Sequence, residues 1–140
     1  MRKLLYLLLV SSVVACTKQS GDVLAIEPVT KKIEWHIHAS DTYNGPWMDT
    51  MTARVQVRLY KSDTVHHTFV TLWDTTFENR TLQKYPVLPQ KLVIEKNISL
   101  LPNEKLQAWY NIRYEMKGTA SETGRLDVVE KPFTFIDIKL

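Results

Sequence analysis

Leu106-Gln107-Ala108-Trp109-Tyr110-Asn111-Ile112-Arg113-Tyr114-Glu115-Met116 is the stretch that decides the fold. Leu106, Ala108, Tyr110, Ile112, Tyr114 and Met116 hold one parity, and Gln107, Trp109, Asn111, Arg113 and Glu115 hold the other. Side chains on a strand point alternately to its two faces, so this spacing predicts a long strand with one buried and one solvated face, and no helical spacing competes with it. Upstream, residues 54–60 repeat the pattern, with Val55, Val57 and Leu59 opposed to Arg54, Gln56 and Arg58. Residues 33–38, 68–77, 91–98, 124–129 and 132–140 predict further strands. In the last of these Phe133 and Phe135 hold one parity while Ile136, Ile138 and Leu140 hold the other, a phase change that predicts a β-bulge near Phe135. Asn44-Gly45-Pro46, Lys61-Ser62-Asp63, Pro102-Asn103 and Lys117-Gly118 supply turn chemistry between the runs. About seven short strands with little helix predict an all-β fold, a single antiparallel β-sandwich over residues 31–140.

The N-terminal residues have a different character. Arg2 and Lys3 precede an apolar run at 4–14, and Val13-Val14-Ala15 precede Cys16. That arrangement resembles the bacterial lipoprotein signal, in which small or aliphatic residues precede a cysteine that is lipidated on its sulfur and becomes the new N-terminus. The run is shorter than the roughly 20 residues a bilayer-spanning helix needs and reads as the apolar region of a cleaved export signal. Residues 1–15 are therefore expected to be the signal peptide, and 16–30 the lipidated Cys16 with its tether. The chain is then anchored in the outer membrane, with the periplasmic side favoured over the cell surface. Cleavage before Cys16 removes 15 of the 140 residues and leaves 125, within the common domain size of about 100 to 150. Cys16 is the only cysteine, so acylation leaves no thiol for a disulfide or a nucleophile. Loss of Arg2 and Lys3 leaves 16 basic side chains facing 15 acidic ones, a near-neutral domain with no electrostatic footprint for nucleic acid.

Residues 84–112, KYPVLPQKLVIEKNISLLPNEKLQAWYNI, carry a family likeness. Pro86-Val87-Leu88-Pro89, the aliphatic run Leu92-Val93-Ile94, the turn Leu100-Leu101-Pro102-Asn103 and the alternating Leu106, Ala108, Tyr110 and Ile112 follow one another in order. The succession resembles small lipoproteins of the secretin-pilotin type, the type III secretion lipoprotein chaperones and their relatives, and residues 53–59 are similar to that family's first strong strand. The resemblance implies a β-sandwich acting as a chaperone-like accessory of the cell envelope with a protein partner. The corner Leu100-x-Pro102-Asn103-x-x-Leu106 also resembles a loop of fibronectin type III domains, with Leu106 in place of the usual tyrosine. Both relatives are sandwiches, so an Ig/fibronectin-like and a pilotin-like fold stand as alternatives, and fold alone does not choose a function.

Candidate functional residues are few. Trp109 lies on the polar parity of its strand, two residues from Asn111 and four from Arg113; tryptophan and arginine are enriched at binding hot spots, so both are candidate partner contacts, with cover for a sheet edge as the alternative for Trp109. Trp47, in a Gly-Pro loop, is a third candidate: it can stack on a sugar, meet a partner or plug the end of the sandwich. Glu34, His36 and His38 alternate on one strand face, where two imidazoles and a carboxylate could share a zinc or copper ion; a solvated polar face is the plainer reading. No cofactor is expected. Asp127 and Glu130 beside Lys131 read as surface charge. The sequence has no Gly-x-Ser-x-Gly elbow, no His-Glu-x-x-His and no phosphate loop, so a non-enzymatic role is expected. Tyr114 with Lys117-Gly118 is similar to part of a periplasmic lysozyme-inhibitor motif, and reads here as a strand running into a glycine turn. Asp49-Thr50-Met51, Asp63-Thr64-Val65 and Asp74-Thr75-Thr76 resemble acceptor sites for periplasmic O-glycosylation. The function expected is a lipid-anchored binding or chaperone-like module with an envelope protein partner; a carbohydrate- or metal-binding lipoprotein is the alternative.

Overall fold

The computed structural model describes residues 27–40 and 49–140; the signal, Cys16 and Trp47 lie outside them. The strands are β1 (Val29–His38), β2 (Thr52–Asp63), β3 (Thr68–Thr76), β4 (Arg80–Thr81), β5 (Leu92–Leu100), β6 (Glu104–Met116), β7 (Thr119–Val128) and β8 (Phe133–Lys139), with one 3-10 turn at Leu82–Lys84. They form two sheets, a three-stranded one ordered β5-β1-β8 and a five-stranded one ordered β3-β2-β6-β7 with β4 paired to the start of β2. The fold is an all-β sandwich. β1 begins at Val29, two residues inside the segment expected to be tether.

Alternation builds the core. Ile33, Trp35 and Ile37 of β1 and Ile136 and Ile138 of β8 face Ala53, Val55, Val57 and Leu59 of β2 and Leu106, Ala108 and Ile112 of β6, and all are buried. Across β2 and β6, Leu59 stands beside Ala108 and Val55 beside Ile112, so large and small groups alternate and fill the layer. Leu82 and Tyr85, from the segment after β4, close one end; the Tyr85 hydroxyl donates to the Ala53 carbonyl at 3.0 Å.

Two expectations are corrected. The sandwich is not wholly antiparallel, because β1 and β8 run parallel, Lys32 to His38 beside Phe133 to Lys139. A parallel neighbour needs a long crossover, and here the whole course from β2 to β7 separates the two strands. That register is also unbroken, so β8 has no bulge at Phe135. Its phase is continuous: Ile136 and Ile138 point inward, while Phe133 and Phe135 point outward at 48% and 60% exposure. Reading every phenylalanine as core created the apparent phase change. Among the described residues a register shift lies instead in β3, where Leu59 faces Trp73 and Tyr60 faces Thr71, leaving Leu72 without a counterpart.

The three-stranded sheet reaches β3, where Lys96 of β5 and Trp35 of β1 meet Trp73, and leaves β7 at the other edge uncovered. β7 is consequently exposed along nearly its full length, with Asp127 alone half-buried, and its sequence has no large apolar residue before Leu126. Its hairpin with β6 turns at Lys117 and Gly118, both at positive φ (47° and 81°), the two-residue geometry that matches strand twist.

A polar clasp joins the ends of β2 and β6. Glu104 accepts from Lys61 Nζ at 2.6 Å and from the Leu101 amide at 2.8 Å, and the Asn103 carbonyl accepts from the Thr64 amide and hydroxyl. Lys61 first and the Leu101 amide second hold the Glu104 carboxyl below the usual glutamate range. A carboxylate with a depressed folded pKa contributes stability that is complete above its unfolded value of about 4.3 and is lost as pH falls through the folded value. The melting temperature of Glu104→Gln should therefore fall less steeply than wild type on acidification below about pH 4.3; parallel acid profiles would remove the clasp from the account. In the core, Ile112→Ala should cost about 2 to 5 kcal/mol by denaturant unfolding. Arg113→Ala, one residue on and facing water, should shift stability by only about 0.5 kcal/mol.

Candidate functional site

The outer face of the five-stranded sheet is assembled from residues two apart on each strand. Register sets Asp74, Arg58, Trp109 and Leu126 in one straight row across β3, β2, β6 and β7. The row is bonded as well as aligned. Arg58 Nε donates to Asp74 Oδ2 at 2.7 Å, and the guanidinium carbon stands 5.1 Å from the Trp109 ring centroid. Gln56 Nε2 reaches the same carboxylate at 3.1 Å. The Tyr60 hydroxyl, 3.5 Å from Arg58, and then Asp74 push the guanidinium pKa upward.

Rows to either side differ in chemistry. Above lie Tyr60, Gln107 and Val128, and the Tyr60 ring stacks on Phe69 at 4.9 Å. Below lie Gln56, Asn111 and Gly124, then Arg54, Arg113 and Glu122. Arg113 donates to Glu115 at 2.8 Å and to Glu122 at 3.4 Å, which offsets its repulsion from Arg54 directly opposite. One end of the face is thus aromatic and aliphatic, with Phe69, Leu126 and Val128 each more than half exposed, and the other end is charged. Beyond the charged end a hollow of about 410 Å³ opens beside Thr52, Arg113, Glu115 and Lys117.

Trp109 and Arg113 share this face, four residues apart along β6 as their parity requires. Arg54 and Arg58 share it too, which strand alternation alone could not establish because register between strands is not written in either strand. Arg58 is the functional candidate that sequence reading missed. The Asp74-Thr75-Thr76 motif enters the same face through its carboxylate, while the Thr64 hydroxyl of another motif is committed to Asn103.

Glu34, His36 and His38 all lie on the outer parity of β1, but only the first two come together. His36 Nε2 is 3.0 Å from Glu34 Oε2, its Nδ1 accepts from Lys91 Nζ at 3.0 Å, and its ring stacks on Phe135. Lys32 first and His36 second hold the Glu34 carboxyl low. With both ring nitrogens engaged, His36 has no lone pair directed at a metal. His38 turns away: it is buried, with Nε2 at 3.1 Å from Asp137 and Nδ1 at 3.3 Å from the Ala39 carbonyl. Val87, paired with Ala39, and Leu88 roof a small hollow over it. Among the described residues, no group of three or more His, Cys, Asp or Glu stands in a metal-binding arrangement.

Gly124, opposite Asn111, has no room for a side chain. A Cβ there would lie 2.7 Å from the Tyr110 carbonyl oxygen and 3.1 Å from Asn111 Oδ1. The first obstacle is backbone and cannot swing aside. Gly124→Ala should therefore cost about 1 to 3 kcal/mol in chemical denaturation, and adding Asn111→Gly should recover only part of it; full recovery would make the side chain the sole obstacle. Comparison with family models, curated proteins and solved structures finds no match for this chain.

Proposed function

We propose that this protein is a non-catalytic binding or chaperone-like accessory module of the cell envelope, held at the periplasmic side of the outer membrane by lipid on Cys16, with a pilotin-like or fibronectin-like sandwich as its working part. Its docking face is the outer face of the five-stranded sheet. One observation carries the reading: the row Asp74, Arg58, Trp109 and Leu126 runs straight across four strands where an outer sheet face would ordinarily be polar. The row combines an indole, a guanidinium fixed by a carboxylate, and the half-exposed Leu126, the composition of a binding hot spot ringed by polar groups. The guanidinium over Trp109 also favours a protein over a sugar, because a stacking sugar needs a bare ring face.

Trp109→Ala should leave the melting temperature nearly unchanged and reduce partner binding by at least about 2 kcal/mol. The measurement is photo-crosslinking in intact envelopes from a reactive residue placed at Leu126, with and without the Trp109 substitution. Loss of the adduct with an intact fold supports the reading; an unchanged adduct, or unfolding of the variant, makes Trp109 structural cover. Cys16→Ser, measured alongside, should abolish labelling by a fatty-acid probe, and persistent labelling would remove the anchor from the proposal.

A further inference from the structure

A second surface lies on the opposite sheet, independent of the docking face. Among the described residues β3, β5, β7 and β8 are edge strands, and three of them carry devices that discourage an incoming strand. β3 has the extra residue Leu72. β5 sends Lys96 toward the interior, its Nζ 4.4 Å from the Trp73 ring. β7 carries Glu122, Arg125 and Asp127 around Gly124. β8 has no glycine or bulge, and its two charges, Asp137 and Lys139, stand in its second half, so Phe133-Thr134-Phe135-Ile136 is an uncharged edge.

The hydrogen-bonding groups on that edge can be assigned. The Lys32 amide donates to the Pro132 carbonyl and the Leu140 amide to the His38 carbonyl. Parallel pairing alternates, so Thr134, Ile136 and Ile138 turn their peptide groups to β1, and Phe133, Phe135, Asp137 and Lys139 turn theirs to the free edge. Beside this edge the sandwich is open. A hollow of about 330 Å³ separates β8 from β7, lined by Tyr110, Arg125, Asp127, Thr134 and Ile136, and a second of about 430 Å³ adjoins it at Val128, Thr134 and Phe135.

We infer that the outer edge of β8, which no described residue pairs, accepts an extended segment of a partner protein as an added antiparallel strand. The segment's chemistry follows from cross-strand pairing. It places an acidic residue opposite Lys139, a basic residue opposite Asp137, and β-branched residues opposite Phe135 and Phe133. Its alternate side chains lie over the hollow between β8 and β7. A second copy of this chain fits less well: a two-fold axis at Ile136 sets Asp137 diagonal to its own image, and an axis at Ile138, which does set Asp137 opposite Lys139, overlaps only residues 136–140 and leaves Phe133 and Phe135 without a partner strand. Strand addition of this kind draws affinity from main-chain bonds and specificity from alternate side chains.

The test uses the full chain in detergent and a labelled peptide, Glu-Val-Lys-Val-Ile-Thr-Val. Saturable binding by fluorescence anisotropy is expected, and it should vanish when the third and fifth peptide amides are N-methylated. Amide exchange at Phe133, Phe135, Asp137 and Lys139 should slow by at least about tenfold on binding, with Ile136 unaffected. Lys139→Glu should weaken binding several-fold, and a peptide with lysine in the first position should restore it. Absence of saturable binding, equal binding of the N-methylated peptide, or new protection on β3, β5 or β7 would overturn the inference. So would concentration-dependent dimerisation of the free chain with the same four amides protected, which would assign the edge to a second copy.

Discussion

The two sheets meet at Trp35. It sits in the central strand of the narrower sheet, wholly buried, with its ring 5.7 Å from that of Trp73 on the wider one. Burying an indole removes some 150 to 250 Å² from water, which at the usual coefficient stabilises by about 4 to 6 kcal/mol. Its Nε1 has no hydrogen-bond partner among the described residues, a cost of about 1 to 3 kcal/mol that the burial outweighs. The contact reaches beyond the core. Trp73 held inward obliges Asp74, the next residue, to face outward, where it fixes Arg58 against Trp109. The packing of one tryptophan pair therefore sets the phase of β3 and, through it, the arrangement on the outer face.

Period-two alternation made most strands legible. The expected runs at 54–60 and 106–116 fall inside β2 and β6, where one face is buried and the other wet, so the pattern is strong. The first half of β7 escaped notice because nothing covers that strand: Thr119 to Thr123 has no buried face and hence no alternation to read. β8 was placed correctly and phased wrongly, since its exposed phenylalanines imitate core residues. The parallel partner of β1 was illegible for another reason: direction of pairing depends on the path of the intervening chain, which no local pattern records.

The site divides along the same line. Placing Trp109 and Arg113 together needed only the parity of one strand. Matching Arg58 to Trp109 needed the register between two strands, set by the core pairing of Leu59 with Ala108. His38 shows the limit of parity from the other side. Its position predicts exposure, yet the Val87–Leu88 segment, distant in sequence, crosses over it and leaves it 2% exposed. The ring bonds to Asp137 on β8 while His36 bonds to Glu34, so three residues spaced for a shared ligand serve two separate contacts.

Unequal sheet width accounts for both proposed surfaces. A three-stranded layer cannot cover a five-stranded one, so β7 overhangs and the sandwich stays open between β7 and β8. The overhang extends the outer face by one strand, bringing Leu126 and Val128 into line with Trp109 and Gln107. Among the described residues the same mismatch leaves the outer edge of β8 unpaired, beside a hollow rather than beside a neighbouring strand. Widening the narrow sheet by one strand would fill that hollow and cover the half-buried Tyr110, burying apolar surface that the described chain leaves partly open. The fold thus has a direction in which addition is favourable, on the side away from β5, where the inward Lys96 already closes the other edge.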